Sequence, residues 1–185
     1  DTDRSRGLGD VYKRQPYNLT LIKGVVFDID GVLSPNVVPL GADGNPQRMA
    51  NIKDGYALQL AVRKGMHIAI ISGATGEGLI ARFNNLGITD VYLKAGMKKQ
   101  VFEEWMEENE LTPGEVAYVG DDVPDRDCMT MAGLAVAPAD SSPDILGVAN
   151  YISPFNGGCG VARDLLEEIL RAKGEWPVTD RACGW

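Results

Sequence analysis

The stretch Val25-Val26-Phe27-Asp28-Ile29-Asp30-Gly31-Val32-Leu33 decides how this chain is read. Val25, Val26, Phe27 and Ile29 sit together without regular polar alternation, which predicts a strand buried on both faces of a parallel sheet. Asp28 and Asp30 stand at its end, and Gly31 lets the backbone turn. Two carboxylates at one strand tip repel each other and are costly to bury. They become tolerable where the strand leaves the carboxyl edge of a sheet and a cation is shared. Positions i and i+2 of a strand face the same way, so both carboxylates are expected to reach one point. An isolated Asp-x-Asp is more often an ordinary acidic turn. The rest of the chain outweighs that reading.

Three further segments carry matching chemistry. His67-Ile68-Ala69-Ile70-Ile71 runs into Ser72-Gly73, and Val116-Ala117-Tyr118-Val119 runs into Gly120-Asp121-Asp122, with Asp125 a turn later. Between them Lys98 opens a predicted helix whose apolar positions Val101, Phe102, Trp105 and Met106 fall on one face. In an open parallel sheet, ligands collect outside the carboxyl ends of the strands, so these groups can converge. Each motif is weak alone; four in this order form a strong signal.

The segments Asp28–Leu33, Ser72-Gly73, Lys98 and Gly120-Asp121-Asp122-Val123-Pro124-Asp125 resemble the four motifs of haloacid dehalogenase-like phosphatases. Asn51-Ile52-Lys53-Asp54-Gly55-Tyr56-Ala57-Leu58 and Gly157-Gly158-Cys159-Gly160-Val161-Ala162-Arg163-Asp164 are similar to 3-deoxy-D-manno-octulosonate 8-phosphate phosphatases and relatives acting on other 2-keto-3-deoxy sugar acids. The resemblance covers roughly residues 18 to 185. Ala74 stands where many relatives carry Arg, and Ser72 where Thr is frequent.

The resemblance implies a magnesium-dependent phosphatase, with Asp28 as nucleophile and an aspartyl-phosphate intermediate. Asp30 is then the acid that protonates the leaving oxygen and the base that activates water. Ser72, Gly73 and Lys98 hold the phosphoryl oxygens, Asp125 supports Lys98, and Asp28, Asp30, Asp121 and Asp122 are the candidate Mg2+ ligands. Hard oxygen donors suit that ion. Arg163 is a candidate contact for a substrate carboxylate, or an ordinary i,i+4 partner of Glu167. The substrate implied is a small phosphorylated sugar acid, with a nine-carbon 2-keto-3-deoxy acid 9-phosphate as the alternative. A catalytically silent binding module on the same fold and a phosphomutase are the readings from other classes.

Rival chemistries find no residues. His67 is the only histidine, which leaves no base for Ser-His-Asp or Cys-His catalysis. Cys128, Cys159 and Cys183 lack zinc-site spacing, and Gly73–Gly78 lacks the Gly-Lys-Ser/Thr ending of a nucleotide P-loop. A net charge of −8 argues against a nucleic-acid partner. No apolar run approaches the length of a membrane span, and the charged first residues predict no secretory signal. An odd number of cysteines without framework spacing predicts the cytoplasm.

Alternating strand and helix patterns predict an α/β fold, a Rossmann-like three-layer sandwich around a central parallel sheet. A β-hairpin is expected after strand 1, with Val37–Leu40 and Pro46–Ala50 flanking the turn at Gly41–Asn45. Helices are expected over about 54–64 and 160–173. Neither inter-motif gap has room for a cap domain. The family resemblance then implies a homotetramer whose neighbouring subunit covers the site. Residues 1–17 read as a disordered or non-native extension, 18–172 as the phosphatase core and 173–185 as a C-terminal tail.

Overall fold

The computed structural model describes residues 17–177. Six parallel strands form one sheet in the order β3-β2-β1-β4-β5-β6. They are β1 (Gly24–Phe27), β2 (His67–Ile71), β3 (Asp90–Tyr92), β4 (Val116–Val119), β5 (Leu134–Ala137) and β6 (Tyr151–Ile152). The connecting helices are α1 (Ile52–Arg63), α2 (Glu77–Asn85), α3 (Lys98–Glu108), α4 (Arg126–Met131), α5 (Pro143–Val148) and α6 (Val161–Ala172).

The pleat sorts side chains onto two cores. Val25 and Phe27 of β1, Ile68 and Ile70 of β2, and Ala117 and Val119 of β4 pack with α1, α2 and α6. Their alternates, Val26, Ala69, Ile71, Val116 and Tyr118, meet Phe102 and Trp105 of α3, Cys128 and Met129 of α4, and Ile145 of α5. Because both faces are covered, the strands are apolar throughout rather than alternating. This is the three-layer sandwich the sequence predicts.

Three details depart from expectation. Strand β1 ends at Phe27, one residue before Asp28, and Gly31 turns the chain at φ +79°. The Ile29 carbonyl accepts from both Val32 and Ser34, so Asp28 and Asp30 do not share a strand face. The hairpin is reduced to one antiparallel bridge, Leu40 with Pro46, closed by Gly41 N to Asn45 O at 2.8 Å. Pro39 and Pro46 donate no backbone hydrogen, so a longer ladder cannot form around that turn. Helix α5 is not predicted by the sequence; six residues opening on a proline carry too little periodicity to mark it. Among the described residues, the segments after β1 and β2 contain no cap domain, and no helix is long and apolar enough to cross a membrane.

Residues 1–16 of the N-terminal extension, Cys183 and Trp185 lie outside the described residues, whereas Tyr17, placed in that extension by the sequence, packs against the core. Of the tail, Trp176 is buried, edge-on to Tyr56 with ring centres 6.1 Å apart. It folds back on its own chain.

Candidate active site

Strands β1 and β4 are neighbours, and sheet order reverses between them. Such a switch point leaves a crevice at the carboxyl edge because the two crossovers run in opposite directions. Asp28 follows β1 there and Asp121 follows β4. Asp28 N still donates to Val119 O at 3.1 Å, which fixes the two ends together.

The site is built around a buried lysine. Lys98 Nζ lies 2.8 Å from Asp28 Oδ2 and 2.8 Å from Asp125 Oδ1. Asp125 is fully buried; its Oδ1 also accepts from the Tyr118 hydroxyl at 3.1 Å, and its Oδ2 accepts from Asp121 N at 3.2 Å. Every direction in which Asp125 could turn is therefore occupied, and it holds Lys98 where the sequence places the pair. Burial works to lower the Lys98 pKa, but the charges of Asp125 and Asp28 outweigh it and leave it above the ordinary lysine value. The ammonium stays charged.

Carboxylates are in surplus. One oxygen each from Asp28, Asp121 and Asp125 can lie within 4.8 Å of one another. Burial, then repulsion from Asp125, Asp28 and Asp122, pushes the Asp121 carboxyl up to about 7. Burial and Asp28 likewise raise Asp125 against the opposing pull of Lys98. One lysine does not neutralise this set, and a divalent cation would. The donors are all hard oxygens, which fit magnesium. The motif I turn is shaped to this arrangement: a Cβ on Gly31 would stand 1.9 Å from Asp121 Oδ2.

Other predicted residues fall differently. Ser72 is buried at the end of β2, its Oγ accepting from Ala74 N at 3.2 Å, while Gly73 beside it is exposed. Asp30 is not in the close carboxylate group. Both its oxygens lie on the Arg48 guanidinium, Nε to Oδ1 at 2.7 Å and Nη2 to Oδ2 at 2.8 Å. Asp122 is exposed and outside the group, acting on Asp121 through charge alone. Arg163 bonds Glu167 through Nε at 2.6 Å and lies 4.5 Å from the Trp176 ring centre. Its guanidinium takes the i,i+4 alternative rather than joining the carboxylates.

Sequence reasoning missed Arg48, because a lone arginine between two prolines and an apolar patch has no motif around it. It also missed the brace behind the site. Asn51 caps α1 by accepting from Lys53 N and Asp54 N, and its Nδ2 donates to Gly158 O at 3.1 Å. Gly157 in that loop packs so closely that a Cβ would stand 2.1 Å from Gly31 O. Asp140 Oδ1 accepts from Gly157 N at 2.8 Å. The glycine pair of the last motif is thus a steric requirement of the motif I turn.

Sheet order and strand-end chemistry together place the protein among the haloacid dehalogenase-like hydrolases. No family model matches the chain. The 3-deoxy-D-manno-octulosonate 8-phosphate phosphatase KdsC of Escherichia coli strain K12 is 34% identical over 154 residues, 83% of this chain and 82% of that protein. The crystal structure of the Yersinia pestis phosphatase of the same name superposes with a TM-score of 0.81 at 33% identity, covering 85% of each chain. That of Moraxella catarrhalis, in complex with magnesium, phosphate and KDO, gives 0.79 at 27% identity, covering 84% of this chain and 89% of that one. The chain belongs to the 3-deoxy-D-manno-octulosonate 8-phosphate phosphatase family.

Proposed function

We propose that this protein is a magnesium-dependent phosphatase that hydrolyses 3-deoxy-D-manno-octulosonate 8-phosphate to the free sugar acid and inorganic phosphate. The observation that carries the chemistry is the buried Asp28–Lys98–Asp125 chain beside Asp121 at the switch point. The substrate is taken from the family relatives, which carry that name over most of their length.

A phosphate monoester dianion repels nucleophiles, so hydrolysis needs charge neutralisation and an in-line attacker. Asp28 is that attacker: Ile29 N and Lys98 fix its two oxygens at 2.6 and 2.8 Å and set its direction. Its attack on phosphorus forms an aspartyl-phosphate while the sugar C8–O bond stays intact and the P–O bond breaks. Asp30 gives the leaving oxygen its proton, then takes one from the water that opens the intermediate. Lys98, Ser72 and the Gly73 amide contact the phosphoryl oxygens. Asp28 and Asp121 would hold magnesium, with Asp122 further out; bound there, the ion neutralises phosphoryl charge. Asp125 keeps Lys98 and the Asp121 backbone in place.

The site opens at a sheet edge, and Val37, Leu40 and Met49 on the segment between β1 and α1 are exposed, as is Ile52 at the start of α1. Large apolar side chains grouped this way mark a protein contact. A homotetramer joined through this segment, with a neighbour covering the site, is the assembly that fits. Free Cys128 and Cys159 suit a cytoplasmic location.

The test is phosphate release from a panel of phosphorylated sugars, eight-carbon and nine-carbon 2-keto-3-deoxy acids included, with and without magnesium. The eight-carbon acid phosphate is expected to be turned over fastest, and only with the metal. Silence across the panel would leave a binding module, and preference for the nine-carbon acid would reassign the substrate.

A further inference from the structure

Arg48 belongs to no motif, yet it is more firmly placed than an exposed arginine would be. Its side chain is 12% exposed, and two of its nitrogens take both oxygens of Asp30 in a bidentate contact. The third, Nη1, has Thr75 O at 3.5 Å, the outer limit of a hydrogen bond. The backbone around it is anchored on both sides: Met49 N donates to Ser34 Oγ at 3.0 Å, and Asn51 Nδ2 to Gly158 O. Arg48 also lines a cavity of about 430 Å³ between α1, α2 and the reduced hairpin, and Arg82 is among its other lining residues. Two arginines therefore line one space, and one of them holds the leaving-group residue.

That contact has a steric consequence. The bidentate contact takes one lone pair on each oxygen of Asp30 and fixes the direction of its carboxylate. Turning Asp30 from this position toward the ester oxygen of a bound phosphate opens at least one of the two bonds. A carboxylate on the substrate can replace Asp30 on the guanidinium fork, because it offers the same pair of oxygens at the same spacing. A sugar phosphate without a carboxylate offers no such exchange.

We propose that Arg48 is a specificity-determining latch: it holds Asp30 in the resting enzyme and releases it to a substrate that brings its own carboxylate. The inference rests on the phosphatase reading above. Selectivity then comes from the cost of freeing Asp30, in addition to any difference in how tightly the two substrates bind. Because every monoester carries phosphate, only the second anion discriminates. Lysine in place of Arg48 keeps the charge but loses the fork.

The test compares kcat and KM of the magnesium-loaded wild type, Arg48→Ala and Arg48→Lys on two substrates. One is the octulosonate 8-phosphate; the other is a neutral pentose 5-phosphate. Circular dichroism and melting confirm that each variant folds, and Arg48→Lys serves if Arg48→Ala does not. The ratio of kcat/KM between the acid and the neutral sugar is expected to fall at least about fivefold in either variant, with KM for the acid raised and kcat for the neutral sugar increased. A ratio that changes less than that, including an equal loss on both substrates, overturns the latch. No wild-type turnover of either sugar would instead strike the phosphatase reading, so the two failures are distinguishable.

Discussion

The backbone amide of Arg163 donates to Asp54 Oδ1 at 2.7 Å, joining residues 109 positions apart. This bond ties the first turn of α1 to the first turn of α6, beside the Gly157-Gly158 loop that presses on Gly31. The other oxygen of Asp54, Oδ2, is buried without a hydrogen-bond partner. Desolvation accordingly pushes the Asp54 carboxyl up to about 6, the Arg163 amide and charge only partly opposing it.

A raised folded-state pKa means that the native protein binds this proton more tightly than the unfolded chain. The associated stability is complete below the unfolded value of 3.8 and is lost as pH rises to about 6. The shift sets a ceiling of about 3 kcal/mol. Asp54→Asn removes this ionisation while an oxygen can still accept from Arg163 N. In urea unfolding at pH 4 and pH 7, the variant is expected to gain relative to wild type as pH rises. A constant difference between the two proteins would exclude the ionisation of Asp54.

Gly31 is the residue where the turn tolerates least. Alanine there combines φ +79° with a Cβ 1.9 Å from Asp121 Oδ2. The conformation alone costs about 1–2 kcal/mol, and Asp121 must also move. Gly31→Ala is expected to weaken magnesium activation at least about tenfold, read as the metal concentration for half-maximal rate. Activation at the wild-type concentration would show that Asp121 does not hold the ion.

Protons and magnesium should compete at the same oxygens. With the Asp121 carboxyl near 7 in the metal-free protein, acidification below that value fills its lone pair with a proton. Apparent magnesium affinity is then expected to rise between pH 6 and pH 8 by up to about tenfold, with proton release on binding. Calorimetry in two buffers of different ionisation enthalpy measures both. Binding without proton uptake by buffer would contradict the assignment.

Much of this site is written in local sequence. The strand runs ending at Phe27, Ile71 and Val119 are apolar enough to read as buried parallel strands, and each ends at the predicted edge. The pairing of Lys98 with Asp125 was legible because each sits at a strand or helix boundary with its own motif. The position of Asp30 was not. A two-residue offset puts groups on one face only while the strand continues, and here it stops at Phe27. Arg48 and Asp54 were illegible for a different reason: their roles lie in contacts 18 and 109 positions away, which no local pattern encodes.

Assembly can be tested through the exposed apolar group. Leu40→Asp, alone or with Val37→Asp, places charge on side chains that are 71% and 83% exposed in the single chain. If they form the proposed subunit contact, sedimentation should show a tetramer for wild type and smaller species for the variants. KM for the sugar acid is expected to rise at least about threefold, with less effect on a small aryl phosphate. A wild-type monomer at micromolar concentration would end the tetramer proposal.

The most direct measurement is phosphate release from 3-deoxy-D-manno-octulosonate 8-phosphate by wild type and Asp28→Asn, each with magnesium, with rapid acid quench to trap phosphorylated protein. The variant keeps the shape of the side chain and loses the nucleophilic carboxylate oxygen. Wild type is expected to turn over and to yield acid-stable, hydroxylamine-labile phosphate on Asp28. Asp28→Asn should yield none and should fall at least about a thousandfold in rate. Turnover by Asp28→Asn within a few-fold of wild type, or label on another residue, would contradict the account.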